Sequence, residues 1–462
     1  MKTNFTAFVI GIDVGTTSVK GMLMNSKGEI VTFAKQEYSL DTDAGDICEL
    51  DPEIYWEVTC RVIRQLLSGS KVDPARIGGI AFSSQGETLI VVDKDGKPLR
   101  KAIVWLDNRS IAEAEEIRGR FGEQLIMEIT GQPRVLPTWP ATRILWLKKN
   151  EPDVFSRAGK YLMVGDFLVY RMTGRYLTEH SLSSSTLYFN ISEKEWWGEM
   201  LNFLGISPHQ LPQLDESAQI AGTLTPEAAM TTGLNCSTLC VTGAYDHPSG
   251  AVGSGNIRNG DATLTIGASM AMCIALGKPV YDLSLAIPCQ CHAVRGLYFL
   301  LPYGQTAGMV LKWFKDSFCQ SESMQAEQNN QDVYDLLSQQ AEKIPAGSEG
   351  LLILPHLMGS ASPDYNPKAS GVFTGIRLGM NKGHFIRAIM ESVSLMIHHN
   401  LESLRAKGIN INVIHILGGA SKSRLWNQIL ADVTGLPVVT LSDSENAVAG
   451  ACVLAQVGVG NF

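Results

Sequence analysis

Short apolar runs alternate with polar turns along the first part of the chain, and this pattern predicts strands. Apolar residues at 7–12 and 19–24 predict two buried strands, and a third is expected over 29–38 after a polar turn. A helix should follow, because Asp51 suits an N-cap and Pro52 suits the first helical turn. Apolar residues then recur on one helical face, at Tyr55, Val58, Val62 and Leu66.

The next elements extend these strands into a mixed sheet. A strand is expected over 77–83, a hairpin around Asp93–Gly96, and a further strand that ends at Trp105. Three antiparallel strands followed by alternating helix and strand predict an α/β layer with helices on both faces.

The second half of the chain repeats the opening pattern. Residues 261–275 predict strand, turn and strand around Gly267, as residues 8–23 do around Gly15. Two copies of one phosphate-binding unit, facing each other across a cleft, would explain this similarity, although small residues also recur in turns by chance.

Size and composition limit the class of protein. The chain has 462 residues, more than one hydrophobic core usually holds, so two domains are expected. The formal net charge of −8 argues against binding nucleic acid or an anionic membrane, and no apolar run is long enough to span a membrane. Nine scattered cysteines fit reduced thiols in a cytoplasmic protein, and a homodimer is the commonest default assembly. Cys289, Cys291 and His292 lie close together but lack a fourth zinc ligand, so a plain strand is favoured there.

The first segment that could carry chemistry begins at Asp13, where a buried strand ends in a turn of small and hydroxyl residues. Gly15, Thr16 and Thr17 could direct backbone N–H groups and hydroxyls at phosphate oxygens, while the Asp13 carboxylate holds Mg²⁺ through water. The alternative is an ordinary hairpin in which Asp13 caps the turn. Lys20 is expected on the following strand, with its amine in solvent.

A second carboxylate ends another apolar strand, over residues 239–242. Asp246 follows this strand and opens a helix of small residues, so it could accept a proton from a substrate hydroxyl during phosphoryl transfer. The alternative is that Asp246 is only the helix N-cap, since it stands two residues before Pro248. His247 is expected to be a hydrogen-bonded neighbour rather than a base.

Two further segments suit ligands. Gly418, Gly419 and Ala420 lie between a strand over 413–417 and a helix near Arg424, where a flat ring could approach the backbone closely, although a plain strand-to-helix turn explains them as well.

Polar residues beside a tryptophan suit a polyhydroxyl ligand. Gln85 and Glu87 follow one strand, and Trp105 and Asp107 follow the hairpin after it. The alternative is a solvated loop with an Asp107–Arg109 ion pair and a core tryptophan.

Taken together and in this order, these segments resemble the FGGY carbohydrate kinases over residues 8–460. The most specific match is 371–391, which fits the family's second signature at Phe373, Gly375, Ile376, His384, Phe385, Ala388 and Glu391. The first signature matches at Pro140, Trp146 and Leu147, whereas Arg143 stands where the family has lysine.

The resemblance implies a fold and an activity. The fold is α/β, with two actin-like ATPase (ribonuclease-H-like) domains flanking a catalytic cleft. Residues 1–255 would carry the sugar side and the first phosphate turn, and residues 256–462 the nucleotide side. The activity would be ATP-dependent phosphorylation of a hydroxyl of a small sugar, ketose or polyol, with ATP and Mg²⁺ as cofactors.

The resemblance also implies roles for single residues. Asp246 would be the catalytic base, and Asp13 and Asp246 would hold Mg²⁺ partly through water. Phosphate and nucleotide contacts would come from Asp13, Gly15, Thr16, Thr17, Gly267, Ser269, Gly308, Gly418, Gly419 and Ala420. Substrate contacts would come from Gln85, Glu87, Trp105, Asp107 and Asp246.

Departures from the family pattern keep two other functions open. Ala268 stands where many relatives have threonine, and Gly86 replaces the arginine of the glycerol-kinase pattern. The first alternative is an actin- or chaperone-like ATP-binding protein, and the second is a sugar-binding regulator with a decayed active site. The choice among ketopentoses, tetritols, other polyols and sugar acids is open.

Overall fold

The structure, a computed structural model, describes residues 7–43, 45–441 and 445–462. The strands of the first half are β1 (Phe8–Val14), β2 (Ser18–Asn25), β3 (Ile30–Glu37), β4 (Asp41–Thr42), β5 (Cys48–Leu50), β6 (Ile77–Ser84), β7 (Ile90–Val92), β8 (Ala102–Ile103), β9 (Lys160–Leu162), β10 (Leu177–Glu179), β11 (Phe189–Asn190), β12 (Glu195–Trp196), β13 (Gln213–Asp215), β14 (Ile220–Thr223) and β15 (Leu239–Tyr245). The helices are α1 (Pro52–Ser70), α2 (Ile111–Phe121), α3 (Glu123–Thr130), α4 (Pro140–Asn150), α5 (Pro152–Arg157), α6 (Val164–Thr173), α7 (His180–Ser183), α8 (Gly198–Leu204), α9 (Pro226–Thr232) and α10 (Asp246–Gly253).

The second half has its own set of elements. Its strands are β16 (Asp261–Ile266), β17 (Met270–Leu276), β18 (Cys289–Cys291), β19 (Tyr298–Leu300), β20 (Tyr303–Gly304), β21 (Leu352–Leu354), β22 (Val372–Thr374), β23 (Val413–Leu417) and β24 (Val438–Thr440). Its helices are α11 (Gly308–Phe318), α12 (Gln320–Asn329), α13 (Val333–Glu342), α14 (Lys382–Arg405), α15 (Arg424–Thr434) and α16 (Asn446–Gly458).

The first large sheet has the strand order β14-β15-β6-β1-β2-β3. Strands β1, β6 and β15 are parallel neighbours, with Asp13 opposite Ser83 and Tyr245 opposite Ser84. The carboxyl ends of these three strands therefore meet at one edge of the sheet. Helix α1 packs beside the sheet and begins as expected, because the Asp51 side chain accepts a hydrogen bond from the Glu53 N–H.

The second large sheet repeats this arrangement. Its order is β18-β19-β17-β16-β23-β24, with β20 also paired to β17. Strands β16 and β23 are parallel, and Thr265 lies opposite Leu417. The turns that follow these two strands, at Gly267 and Gly418, consequently lie at the same edge. Each sheet has its own hydrophobic core, so the α/β, two-sheet expectation is confirmed.

Most expected strands and helices are present, but the prediction that one strand ends at Trp105 is wrong. Strand β8 ends at Ile103, because the Trp105 N–H donates to the Thr88 hydroxyl at 3.1 Å and the Asp107 N–H turns back to the Val104 carbonyl. The segment with Cys289 and Cys291 is strand β18, as expected. None of the nine cysteines, all within the described ranges, forms a disulfide.

The last helix, α16, packs against the first sheet. Its residues Val448, Cys452 and Ala455 share a hydrophobic cluster with Val9 and Met22 of that sheet. The boundary between residues 255 and 256 stays a prediction, but the second range contributes this helix to the first sheet. In the described parts of the chain, no helix is both long and apolar enough to cross a membrane.

Helices α10 and α16 cross at glycines. A Cβ atom at Gly450 would lie 1.9 Å from the Ser249 carbonyl oxygen, and one at Gly253 would lie 2.0 Å from the Asn446 carbonyl oxygen. These distances leave no room for a Cβ atom at either glycine, so the two helix backbones are in direct contact. This crossing joins the helix that opens with Asp246 to the last helix of the chain.

Replacing Gly450 by alanine tests whether this crossing supports the fold. We expect Gly450→Ala to lower the free energy of unfolding by about 1–3 kcal/mol, because the helices must separate. Gly119→Ala is the matched control, since Gly119 lies exposed in α2 with nothing within 4 Å of its Cβ position. That change should stabilise by roughly 0.5–1 kcal/mol. Urea unfolding measures both, and a Gly450→Ala protein as stable as the control would contradict the tight crossing.

Candidate active site

The candidate site lies where strands β1, β6 and β15 end. Asp13 is the penultimate residue of β1, Gln85 and Glu87 follow β6, and Asp246 follows β15 directly. Because the strands are parallel neighbours, their sequence-distant side chains lie at one sheet edge, as is usual for ligand sites in such sheets. The Ser83 hydroxyl of the middle strand donates to the Asp13 carboxylate at 2.8 Å.

The turn after Asp13 is held by contacts to its backbone. The Gly15 N–H donates to the Ser18 carbonyl at 3.0 Å, and the Gly15 carbonyl accepts from the Tyr38 hydroxyl and from the Gln85 amide. The side chain of Thr17 is exposed. These hydrogen bonds fix the backbone of the turn, while the side chain of Thr17 stays open to solvent.

Three carboxyl groups at this edge have raised pKa values. Burial, countered by the Ser83 hydrogen bond and strengthened by the nearby Asp246 charge, raises the pKa of Asp13 to about 6. Burial also raises the pKa of Glu87 to about 7, with Asp246 adding to the effect and Arg143 opposing it. The pKa of Asp246 is raised, again mainly by burial. The site thus concentrates negative charge that a cation or a proton would relieve.

Two residues expected to bind substrate instead have their side chains fully occupied within the protein. The buried Gln85 amide donates to the Gly15 carbonyl and the Tyr55 hydroxyl, and its oxygen accepts from Thr88. The fully buried Asp107 carboxylate accepts from Arg109 and from a backbone N–H, and these bonds outweigh burial and lower its pKa. The structure thus favours the ion-pair alternative for Asp107, and it brings neither side chain to the opening.

The other two residues of the expected sugar side are accessible. Glu87 is partly exposed, and Trp105 is 37% exposed. The Trp105 indole N–H donates to the Thr16 hydroxyl at 2.8 Å, so the tryptophan joins the sugar side to the first phosphate turn. The alternative of a core tryptophan is therefore not supported, because the side chain is exposed.

The position of Asp246 differs slightly from the N-cap alternative. Tyr245 is the N-cap of α10, and Asp246 is the first helical residue. Its carboxylate accepts from the neighbouring His247 N–H at 2.7 Å. No other hydrogen bond of this carboxylate is seen within the described residues, so it has capacity for a ligand.

Lys20 was expected in solvent, and this is wrong. Its ammonium group lies 2.6 Å from the Glu445 carboxylate, and both side chains are partly buried. Lys20 pairs with Asp13 across the β1–β2 hairpin, and its charge lowers the pKa of Asp13. Cross-strand partners lie on one face of a sheet, so the hairpin register could have indicated this position.

The second sheet carries a large cavity at its corresponding edge. The cavity measures about 590 Å³, and Gly267, Gly308, Gly419 and Ala420 line it as expected. Pattern reasoning missed its other lining residues, among them Lys312, Tyr334, Asp335, Ser338 and Trp426. Helical spacing offered one signal, since Lys312 lies one turn after Gly308. Gly418 and Ser269 adjoin the lining residues without being among them.

Close backbone packing shapes this cavity. A Cβ atom at Gly308 would lie 2.4 Å from the Gly267 carbonyl oxygen. Gly418 has a φ of 80°, which favours glycine, and its Cβ would lie 2.6 Å from the Ile266 carbonyl oxygen. Ala268 contributes through its carbonyl, which accepts from the Ala307 and Met309 N–H groups. These contacts do not depend on the hydroxyl that Ala268 lacks.

Sequence comparison assigns the family. Two family profiles cover almost the whole chain: the N-terminal domain of the FGGY family of carbohydrate kinases matches residues 8–253, and the C-terminal domain matches residues 263–459. The chain belongs to the FGGY family of carbohydrate kinases. As an FGGY carbohydrate kinase it is a phosphotransferase, and the resemblance noted from its motifs is confirmed.

Curated relatives of this FGGY kinase have two different names. The xylulose kinase of Bacillus subtilis (strain 168) is 32% identical over 455 residues, which are 98% of this chain and 89% of the relative. The gluconokinase of the same organism is 31% identical over 461 residues, 99% of this chain and 88% of the relative. Family membership is therefore firm, while the relatives divide over the sugar.

Solved structures confirm the fold of this FGGY kinase. The xylulose kinase of Rhodospirillum rubrum has a TM-score of 0.90 at 27% identity, covering 98% of this chain and 90% of that one. The glycerol kinase of Plasmodium falciparum has a TM-score of 0.87 at 22% identity, covering 98% and 90%, and shows likeness of fold alone. The expected pair of actin-like domains is thus confirmed.

The raised pKa of Asp13 predicts that its charged carboxylate lowers the stability of the folded protein. With a pKa of about 6 in the folded state, against an ordinary value near 4, its carboxylate is charged and unfavourable at pH 8 and becomes neutral towards pH 5. We expect Asp13→Asn to raise the Tm at pH 8, with the gain shrinking as pH falls to 5.

Asp107→Asn is the control of opposite sign. The pKa of Asp107 is lowered, so its charge stabilises the fold at neutral pH and its loss should lower the Tm. Thermal unfolding of both variants between pH 5 and 8 tests these two expectations. A lower Tm for Asp13→Asn at pH 8 would contradict this expectation, because it would show that the charged Asp13 carboxylate stabilises the folded protein.

Proposed function

We propose that this protein transfers the terminal phosphoryl group of ATP to a hydroxyl of a small neutral sugar, ketose or polyol, with Asp246 as the general base. The observation that carries the proposal is the juxtaposition of Asp246 and the Asp13 turn at one sheet edge. Tyr245, directly before Asp246, packs in a cluster with Cys273 of strand β17 in the second sheet. The Gly267 turn precedes that same strand, which supports the proposal that the Gly15 and Gly267 turns face one crevice.

The carboxylate of Asp246 suits proton acceptance. It is held at the start of α10, it keeps free hydrogen-bonding capacity, and its pKa is raised towards that of a working base. In the proposed reaction it receives the acceptor's hydroxyl proton as the oxygen attacks the terminal phosphorus, and the bond to ADP breaks. General-base assistance of this kind contributes on the order of 10²–10⁴-fold.

The residues present fit Mg²⁺. Mg²⁺ prefers one or two carboxylates together with water and phosphate oxygens, and Asp13 and Asp246 supply two carboxylates whose charges oppose each other. Within the described residues no group of three or more acidic, histidine or cysteine side chains is arranged to hold a metal ion by itself, and a site of this type does not require one. Bound there with ATP, Mg²⁺ would neutralise developing phosphate charge.

ATP itself is assigned to the cavity of the second sheet. The cavity of about 590 Å³ can hold a nucleoside, and its Gly267 and Gly308 backbones leave room for phosphates. The Gly15, Thr16 and Thr17 turn would contact the terminal phosphate from the other side.

Charge favours a neutral acceptor. Asp13, Glu87 and Asp246 make the acceptor side negative, while the nearby Lys20 is paired with Glu445 and Arg143 bonds backbone carbonyls. A sugar acid would meet repulsion there, so we favour a ketose such as xylulose, as the xylulose-kinase relatives suggest, over gluconate. A homodimer and a cytoplasmic location stay predictions.

Asp246→Asn tests the central role. We expect kcat to fall by at least about 10²-fold, because the base is lost while the shape is kept. Binding of MgATP, measured by calorimetry, should be largely retained. Asp153→Asn, at an exposed position in α5, is the control and should keep full turnover. The assay couples ADP formation across ketoses, polyols and sugar acids.

Two results of this experiment would be decisive against the proposal. Near-normal turnover in Asp246→Asn would remove Asp246 as the base. Failure of the unmodified protein to phosphorylate any acceptor would favour the decayed sugar-binding regulator.

Gly308→Ala tests the nucleotide cavity separately. The added methyl group must displace the Gly267 turn, because its Cβ would lie 2.4 Å from the Gly267 carbonyl oxygen. We expect the KM for ATP to rise roughly tenfold, since one well-placed contact is worth a factor of that order, with little change in acceptor KM. Gly277→Ala is the control, as its Cβ meets nothing nearer than 3.9 Å. Equal ATP KM in the two variants would place the phosphates elsewhere.

A further inference from the structure

Arg143 is a fully buried cation in helix α4, with 0% of its surface exposed. Its guanidinium donates through Nη1 to the carbonyls of Glu87, at 2.5 Å, and Ile103, at 3.3 Å. Through Nη2 it donates to the carbonyls of Val104, at 2.8 Å, and Asp107, at 3.1 Å. All its hydrogen bonds seen among the described residues end on backbone oxygens. Burying a cation without a directly bonded anion is costly, so this arrangement requires an explanation.

The four carbonyls belong to the two segments that form the acceptor side. One carries Glu87, and the other runs through Val104 and Asp107 and includes Trp105 between them. Arg143 therefore bridges the loop after β6 and the turn after β8, which are also joined by paired backbone hydrogen bonds between Leu89 and Ile103 and by the Thr88 hydroxyl contact to the Trp105 N–H. A rigid guanidinium fork can fix several acceptors at once, which a flexible ammonium group cannot.

The Glu87 loop needs such support. Glu87 has a φ of 64°, a conformation that costs energy for any residue other than glycine. The preceding Gly86 is confined as well, because a Cβ there would lie 2.8 Å from the Tyr245 ring. A strained residue persists only where its surroundings determine its position, and the Arg143 bond to its carbonyl does so.

We propose that Arg143 is a positioning residue that holds the Glu87 loop and the Trp105 turn in the arrangement that receives the acceptor's hydroxyl groups. This inference rests on the proposed function, because it assumes that Glu87 and Trp105 face the acceptor. Arg143 itself is buried behind these segments and does not touch the substrate. Its fixed charge has a second effect, since it favours the ionised form of Glu87, which can accept hydrogen bonds from sugar hydroxyls.

The charge effect gives a test that does not depend on activity. The ionisable groups that interact with Glu87 are Arg143 of α4, Asp246 of α10 and Tyr245 at the end of β15. The folded-state pKa of Glu87 is about 7, above an unfolded value of roughly 4.3. Between these two pKa values, Glu87 takes up a proton when the chain folds. The stability of the folded state therefore falls as the pH rises through this window.

The first experiment measures Tm between pH 5 and 9, a range of about four units that covers the upper end of the window, where the effect levels off. The proteins are the unmodified chain, Glu87→Gln, Arg143→Met and the double variant. The difference between the unmodified chain and Glu87→Gln should level off near pH 7. The difference in Tm between Arg143→Met and the double variant should level off at a distinctly higher pH. An unchanged pH window overturns the inference, even if sugar phosphorylation has been demonstrated.

The second experiment separates positioning from plain stability. We expect Arg143→Met to raise the acceptor KM roughly tenfold at pH 7, the cost of a lost hydrogen bond to a charged group, while the KM for ATP stays unchanged. The acceptor KM should recover partly at higher pH, where Glu87 ionises without help. In the Glu87→Gln background this recovery should vanish. A lower Tm with an unchanged acceptor KM would indicate a purely structural arginine.

Arg143→Lys keeps the test decisive if the methionine variant does not fold. Lysine loses the planar fork, so the acceptor KM should still rise. An acceptor KM equal to that of the unmodified chain would overturn the positioning role. If no acceptor is phosphorylated by the unmodified protein, the proposed function fails, and the Tm measurements still decide the charge effect.

Discussion

The parallel pairing of β1, β6 and β15 is the constraint on which the site depends. Hydrogen-bonded register places Asp13 opposite Ser83 and brings the end of β15 beside the end of β6. Three carboxyl groups that are far apart in sequence are thereby held at one edge, where burial raises their pKa values and the Asp246 charge adds to the effect on Asp13 and Glu87. In the proposed function the same groups bind a cation and remove a proton, which would explain why the fold carries this electrostatic cost.

The two sheets contribute different kinds of contact. The first presents carboxylates and a tryptophan at its strand ends, whereas the second adds closely packed backbone to the side chains of its cavity, with Gly308 packed on the Gly267 carbonyl and Gly418 packed on the Ile266 carbonyl. The close crossing of α10 and α16 ties these halves together, because α10 opens with Asp246 while α16 returns from the second half to the first sheet. The proposed base and the proposed nucleotide cavity thus belong to one packed framework.

Local patterns predicted the elements that depend on local physics. The β1–β2 hairpin, the Asp51 cap of α1 and the glycine turns at 15 and 267 follow from alternation and turn chemistry, and they were found. Motif chemistry offered the proposed roles of Asp13 and Asp246 beside plain structural alternatives, and the family resemblance favoured those roles. Long-range partners could not be read in this way: Gln85 supports Gly15, and Lys20 meets Glu445, which lies 425 residues away. The local Asp107–Arg109 pair was foreseen only as an alternative. Each of these outcomes depends on which side chain the fold brings nearest, and residue type alone does not contain that information.

The most direct test of the account is a structure of the protein with Mg²⁺, a non-hydrolysable ATP analogue and the acceptor found by turnover. The account predicts an acceptor hydroxyl about 2.6–3.2 Å from the Asp246 carboxylate and in line with the terminal phosphate, with adenosine in the cavity beside Trp426. A terminal phosphate bound away from the Asp13 turn, or an acceptor that leaves Asp246 without contact, would contradict it.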